Sequence, residues 1–183
     1  ETATETGYAY TIAPKVYVAQ YNNVKYETLQ AALDAAEAVD DKNMVIDLLA
    51  DATLDITAWS GTKNALSIGT ENTESITING NNHKLTFNQK NSDWNNGATM
   101  NDAQTKLILN DMAITSSGYN NGPWNRHDIN FSCDVTLNNV TSDKALAFKN
   151  SATLKDVTVE DQPGSIYGIW ISPRVEGQTI NID

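Results

Sequence analysis

Three of the four tryptophans lie in long polar stretches between short apolar segments. Trp59 falls within 57–64, Trp94 within 88–98 and Trp124 within 116–128. Tyr119, Arg126 and His127 share the last stretch, and Asn95, Asn96, Asn120, Asn121 and Asn125 surround the rings. Aromatic faces suit the C–H faces of a sugar ring, while amides and charged groups fix its hydroxyls. Trp59, Trp94, Tyr119, Trp124, Arg126 and His127 are therefore the candidate glycan-binding set. The competing reading is that each tryptophan folds back and pins its own long connection, because connections of this length need packing to be ordered.

Other chemistry is sparser. Asp47, Asp51 and Asp55 recur every four residues without the pattern of a calcium loop, and turns between strands explain them. Asp40-Asp41 is a paired carboxylate at the end of a helical pattern, read as a solvated helix end. His83 follows Asn81-Asn82 in a turn-like phrase. Cys133, the single cysteine, alternates with Ile129 and Phe131, which places it in a core as a small apolar residue. Asn130-Phe131-Ser132 and Asn139-Val140-Thr141 fit the glycosylation acceptor pattern. No catalytic set, metal site or cofactor site is expected.

The elements that must hold these residues come next. Leu29, Ala32, Leu33, Ala36 and Val39 mark one helical face, predicting a helix over 28–39 with Thr28 as its N-cap. From Met44 the period becomes two. Lys106–Ile114, Asp134–Thr141 and Ala152–Val159 repeat one phrase: an alternating strand, a polar Asn/Asp pair, and a second strand. Ser75–Gly80 and Thr179–Asp183 are further copies. Aligning Gly80, Asp111, Asn139, Asp156 and Asp183 gives spacings of 31, 28, 17 and 27 residues. Short strands at Leu66–Ile68, Ile129–Phe131, Leu146–Phe148 and Ile169–Ile171 precede the units. Units of this size that cannot bury their apolar residues alone stack as a solenoid. Its bends need residues that tolerate left-handed backbone angles, and their Asn side chains can bond along the stack. An antiparallel sandwich also gives short strands at regular spacing, and is the competing fold.

The chain has 183 residues with 12 basic and 23 acidic side chains, a net charge of −11. That balance argues against nucleic acid and anionic membranes as partners. No apolar run approaches a membrane span. The 22 Asn and 20 Thr stand where charges are scarce, as in many secreted and surface proteins of bacteria.

Val24-Lys25-Tyr26-Glu27-Thr28-Leu29-Gln30-Ala31-Ala32-Leu33-Asp34-Ala35-Ala36, the strand Met44–Leu49 and the phrase Ile76-Thr77-Ile78-Asn79-Gly80-Asn81-Asn82-His83-Lys84-Leu85 together resemble the start of pectin-lyase-like surface proteins of anaerobic bacteria. The resemblance implies an all-β right-handed parallel β-helix of about five to six coils, with an amphipathic helix capping the first coil. Residues 1–15 would be a polar segment or linker, and 16–183 the β-helix domain, continuing beyond Asp183. In β-helix lyases and hydrolases, clustered Asp residues line a cleft over the first sheet. The equivalent outward positions here are Ser67, Asn130, Ala147 and Trp170, with no carboxylate. The expectation is a secreted or cell-surface structural or adhesive module that binds glycans or a neighbouring surface protein. The alternatives are a non-catalytic part of a polysaccharide lyase or glycoside hydrolase, and a component that self-associates end to end.

Overall fold

A computed structural model describes residues 14–56, 68–89, 98–100, 106–118, 128–160, 168–171 and 177–183. They form one helix and fourteen strands. In chain order these are β1 (Ala19–Tyr21), β2 (Val24–Tyr26), α1 (Leu29–Glu37), β3 (Asn43–Leu48), β4 (Ala52–Ile56), β5 (Ser75–Asn79) and β6 (Lys84–Gln89). Then come β7 (Ala98–Met100), β8 (Lys106–Gly118), β9 (Ile129–Phe131), β10 (Val135–Ser142), β11 (Leu146–Phe148), β12 (Ala152–Val159), β13 (Ile169–Ile171) and β14 (Ile180–Ile182).

The strands make a ten-stranded sheet and a four-stranded sheet ordered β13-β11-β9-β7, and neither closes on itself among the described residues. Every pairing is parallel except those of β1, which runs antiparallel to β2 and β3. An antiparallel sandwich is thereby excluded. Successive segments align residue by residue. Met44, Ile76, Leu107, Val135 and Ala152 form one row, and Ile46, Ile78, Leu109, Leu137 and Leu154 another. All ten are buried. Alternation sends one residue set to each face, so register and burial enforce each other. In the smaller sheet Phe131 stacks on Phe148, with centroids 5.5 Å apart and rings 8° from parallel.

Helix α1 covers one end of this interior with Leu29, Ala32, Leu33 and Ala36, all buried. Thr28 Oγ1 accepts from the Ala31 amide at 3.1 Å, capping the first turn. The helix stops before Val39, which is exposed, because Asp40 takes a left-handed φ of 53°. Nor is Asp40-Asp41 merely solvated. Asp40 accepts from Thr70 Oγ1 at 2.6 Å and Asn72 Nδ2 at 2.7 Å. Asp41 accepts from the Tyr21 hydroxyl at 2.8 Å and the Asn43 amide at 3.0 Å. The pair ties the helix end to β1 and to the following segment.

Bends follow the expected residues with two corrections. Asp111, Asn139 and Asp156 all have φ between 51° and 53°. Gly80, aligned with them, is needed for space: a Cβ there would lie 2.3 Å from Met112 Cβ. The left-handed residues of that bend are Asn81 and Asn82, at 51° and 66°. The last unit is also shifted. Leu154 pairs with Ile182, so Asp183 follows the position of Lys155 and not that of Asp156. Asp47 and Asp55 lie on strands β3 and β4, whereas Asp51 sits between them and accepts from the Lys84 amide at 2.9 Å.

Candidate functional site

The outward side of the large sheet carries a side-chain ladder. Asn79 Nδ2 donates to Asp47 Oδ1 at 2.8 Å, Asn110 Nδ2 to Asn79 Oδ1 at 2.9 Å, and Asn138 Nδ2 to Asn110 Oδ1 at 2.8 Å. A carboxylate only accepts, so Asp47 fixes the orientation of every amide above it. A shorter ladder runs from Asp55 through Asn88 to Ser117, with bonds of 2.7 and 3.2 Å. The longer ladder sits one residue before the bend. At the bend itself, Asn139 Nδ2 donates to Asp111 Oδ1 at 2.9 Å. These amides are occupied in stacking segments on one another, which removes them from the pool of ligand-binding groups.

Asn130, Ala147 and Trp170, the positions expected to face outward in the four-stranded sheet, are aligned as Cα partners, and Thr99 is the Cα partner of Asn130. None is a carboxylate. Asn130 and Ala147, expected to face outward, are only 4% and 3% exposed, so the sheet is not a free surface there. Among the described residues Asn130 Nδ2 has no hydrogen-bond partner, and its burial disfavours it as a glycosylation acceptor. Trp170 is 47% exposed. Ser67 lies outside the described residues.

Cys133 is buried, as its alternation predicts, and burial pushes its thiol up to about 12. His83 Nδ1 lies 3.9 Å from Asp51 Oδ1 at the surface. Among the described residues no group of three His, Cys, Asp or Glu is placed to hold a metal. Among them, too, no helix is long and apolar enough to cross a membrane.

All six candidate glycan residues, Trp59, Trp94, Tyr119, Trp124, Arg126 and His127, lie outside the described residues. The points where their connections leave the sheet are described. Strand β4 ends at Ile56, β6 at Gln89 and β8 at Gly118. Ile56 is the Cα partner of Gln89, and Gln89 of Gly118. The three connections therefore depart from adjacent positions, about 4.8 Å apart, on one side of the sheet. Two of them return together, because Ala98 pairs with Ile129. Nothing in the composition could have revealed this alignment. It follows from register, which the Asn/Asp phrases encode.

Comparison with known proteins gives one family. The family described as "Putative pectate lyase-like adhesive domain" matches residues 22–149, more than half of the chain. No curated protein and no solved structure matches significantly. The matched span begins at the β1–β2 turn and takes in α1, the ladders and all the segments through β11. The chain belongs to the pectate lyase-like adhesive domain family.

Proposed function

We propose that the chain is a right-handed parallel β-helix that acts outside the cell as an adhesive module, binding glycans through its aromatic connections. The parallel pairing and the residue-aligned rows support the coil architecture. The observation that carries the binding reading is the aligned departure of the three aromatic-bearing connections at Ile56, Gln89 and Gly118. In this reading, which the neighbouring departures support, Trp59, Trp94 and Trp124 contact one extended sugar chain. Tyr119, Arg126 and His127 add polar contacts to it. The family's adhesive description favours binding over cleavage. Glycoside hydrolysis would need two carboxyl groups at a fixed separation.

A glycan array tests the proposal. The wild-type chain is expected to bind a defined set of oligosaccharides, and Trp94→Ala and Trp124→Ala each to weaken that binding about tenfold or more. Binding untouched by both substitutions, or none on the array, overturns it. Cleavage of an acidic polysaccharide by the purified chain would overturn the non-catalytic reading.

A further inference from the structure

Asparagine followed by glycine is the dipeptide most open to spontaneous deamidation, because glycine has no side chain to hinder attack of its backbone nitrogen on the asparagine amide carbon. The fold puts one such pair inside the longer ladder. Asn79 is a rung, and Gly80 must follow it, because a Cβ there would lie 2.3 Å from Met112 Cβ and 2.6 Å from the Asp111 carbonyl oxygen. The other amide rungs, Asn110 and Asn138, precede Asp111 and Asn139, whose side chains hinder the same attack. The architecture therefore places the labile dipeptide at this one rung. Each group that the reaction uses is held there. Asn79 Nδ2 donates to Asp47 Oδ1 at 2.8 Å, and Asn79 Oδ1 accepts from Asn110 Nδ2 at 2.9 Å. The buried Gly80 N–H donates to the Asn110 carbonyl oxygen at 2.7 Å.

We propose that Asn79 is a deamidation site that the ladder keeps shut and that opens when β5 separates from β8. In the open state the Gly80 nitrogen bonds to the Asn79 side-chain carbonyl carbon. The carbon–nitrogen bond of the side-chain amide breaks, and its nitrogen leaves as ammonia with the proton that Gly80 gives up. The five-membered succinimide takes up one water and opens at either carbonyl, giving aspartate or isoaspartate at position 79. Water is the only co-reactant. Neither product fits the ladder. An aspartate side chain has no donor, so its carboxylate would face that of Asp47 without a bond. Isoaspartate lengthens the backbone of β5 by a methylene, which shifts the bend against the buried Ile76 and Ile78. The reaction thus marks a chain whose segments have come apart and hinders it from stacking again. It needs no ligand and stands apart from the glycan reading.

Peptide mapping by mass spectrometry tests this on the full chain, aged in mildly alkaline buffer with and without denaturing urea. Mapping also separates Asn79 from the Asn-Gly pairs at Asn96 and Asn121. Loss of the Asn79 amide should run at least about tenfold slower in the native chain than in urea, because it waits for local opening. Asn110→Ala and Asp47→Ala each free one end of the Asn79 amide, and each should raise the native rate about two- to tenfold, as the loss of one hydrogen bond allows. Asn138→Ala leaves both bonds of Asn79 in place and should raise it less. Asn79→Asp, which installs one product directly, should melt below wild type at neutral pH. Equal rates with and without urea, a native rate unmoved by both Asn110→Ala and Asp47→Ala, or Asn138→Ala acting as strongly as they do would each overturn the proposal. So would an Asn79→Asp chain that melts no lower than wild type.

Discussion

Replacing Asn110 with alanine removes the middle rung of the longer ladder. Asn110 donates to Asn79 and accepts from Asn138, at 2.9 and 2.8 Å. Both bonds are half-buried, so water replaces them only in part. At about 0.5–1.5 kcal/mol net per bond, the loss is about 1–3 kcal/mol. For a chain of this length each kcal/mol moves Tm by about 2–4 °C, so melting should fall by roughly 2–12 °C. Asn138→Ala breaks one ladder bond in place of two and should cost about half as much. Urea titration followed by circular dichroism measures both, with Thr153→Ala as the exposed control on a neighbouring strand position. An unchanged m value is required for the midpoints to be compared. The reasoning fails if Asn110→Ala and Asn138→Ala cost the same, or if both fall within about 0.5 kcal/mol of the control. Either outcome would mean that the register rests on apolar rows alone.

Gly80→Ala should destabilise by about 1–3 kcal/mol or more, since the new Cβ meets Met112 Cβ at 2.3 Å and the Asp111 carbonyl oxygen at 2.6 Å. Gly177→Ala has nothing within 4 Å and meets only the strain of a φ of 91°, so the same melts should rank it milder. Cys133 should resist iodoacetamide in the native chain at about pH 8 and react once denatured, because burial shields its thiol and pushes it up to about 12. Phe131→Ala should cost about 3–5 kcal/mol, through the cavity and the lost stack on Phe148, read by thermal melting. The hydroxyl of Thr70, and next the amide of Asn72, hold the Asp40 carboxyl below its ordinary range. Its contribution is therefore present above the unfolded carboxylate pKa of about 3.9 and is lost as pH falls through the folded value. Asp40→Asn should be less stable than wild type at neutral pH, and the gap should close in acid.

The elements were legible where periodicity is strict. Leu29, Ala32, Leu33 and Ala36 announce a helix, and the alternation around Ile76–Ile78, Leu107–Leu109 and Val135–Leu137 announces buried rows. The repeated Asn/Asp letters gave the offsets 31, 28 and 17 that the strand pairings show. They misplaced Asp183 because a bend residue breaks the two-residue alternation. Lys155 and Asp156 then offer two candidate partners, and only the burial of Leu154 opposite Ile182 selects the first. Gly80 was misread for a related reason: its letter signals a bend, and close approach to Met112 is invisible without the neighbouring segment. The roles of Asp40 and Asp41 were equally hidden, since their partners Thr70, Asn72 and Tyr21 lie some 20–32 residues away. The aromatic set has no periodicity to read. Sequence names its members and register fixes only where their connections depart.

That division bears on what family membership can mean here. The determinants that select the architecture are the apolar rows, the left-handed bends and the ladder amides, and each is consumed in holding one segment on the next. A lyase and an adhesive domain can share all of them. What separates the two activities must sit at outward positions and in the connections, where packing imposes no residue type. In this chain Asn130 and Ala147 of the smaller sheet are buried, and Trp170 beside them is half-exposed. The varied side chains are gathered instead in connections that leave the sheet at Ile56, Gln89 and Gly118. The stack is a ruler for those departure points, which lie one strand apart. The proposed glycan reading rests on that regularity, because a ruler of this kind suits a ligand that is itself repetitive.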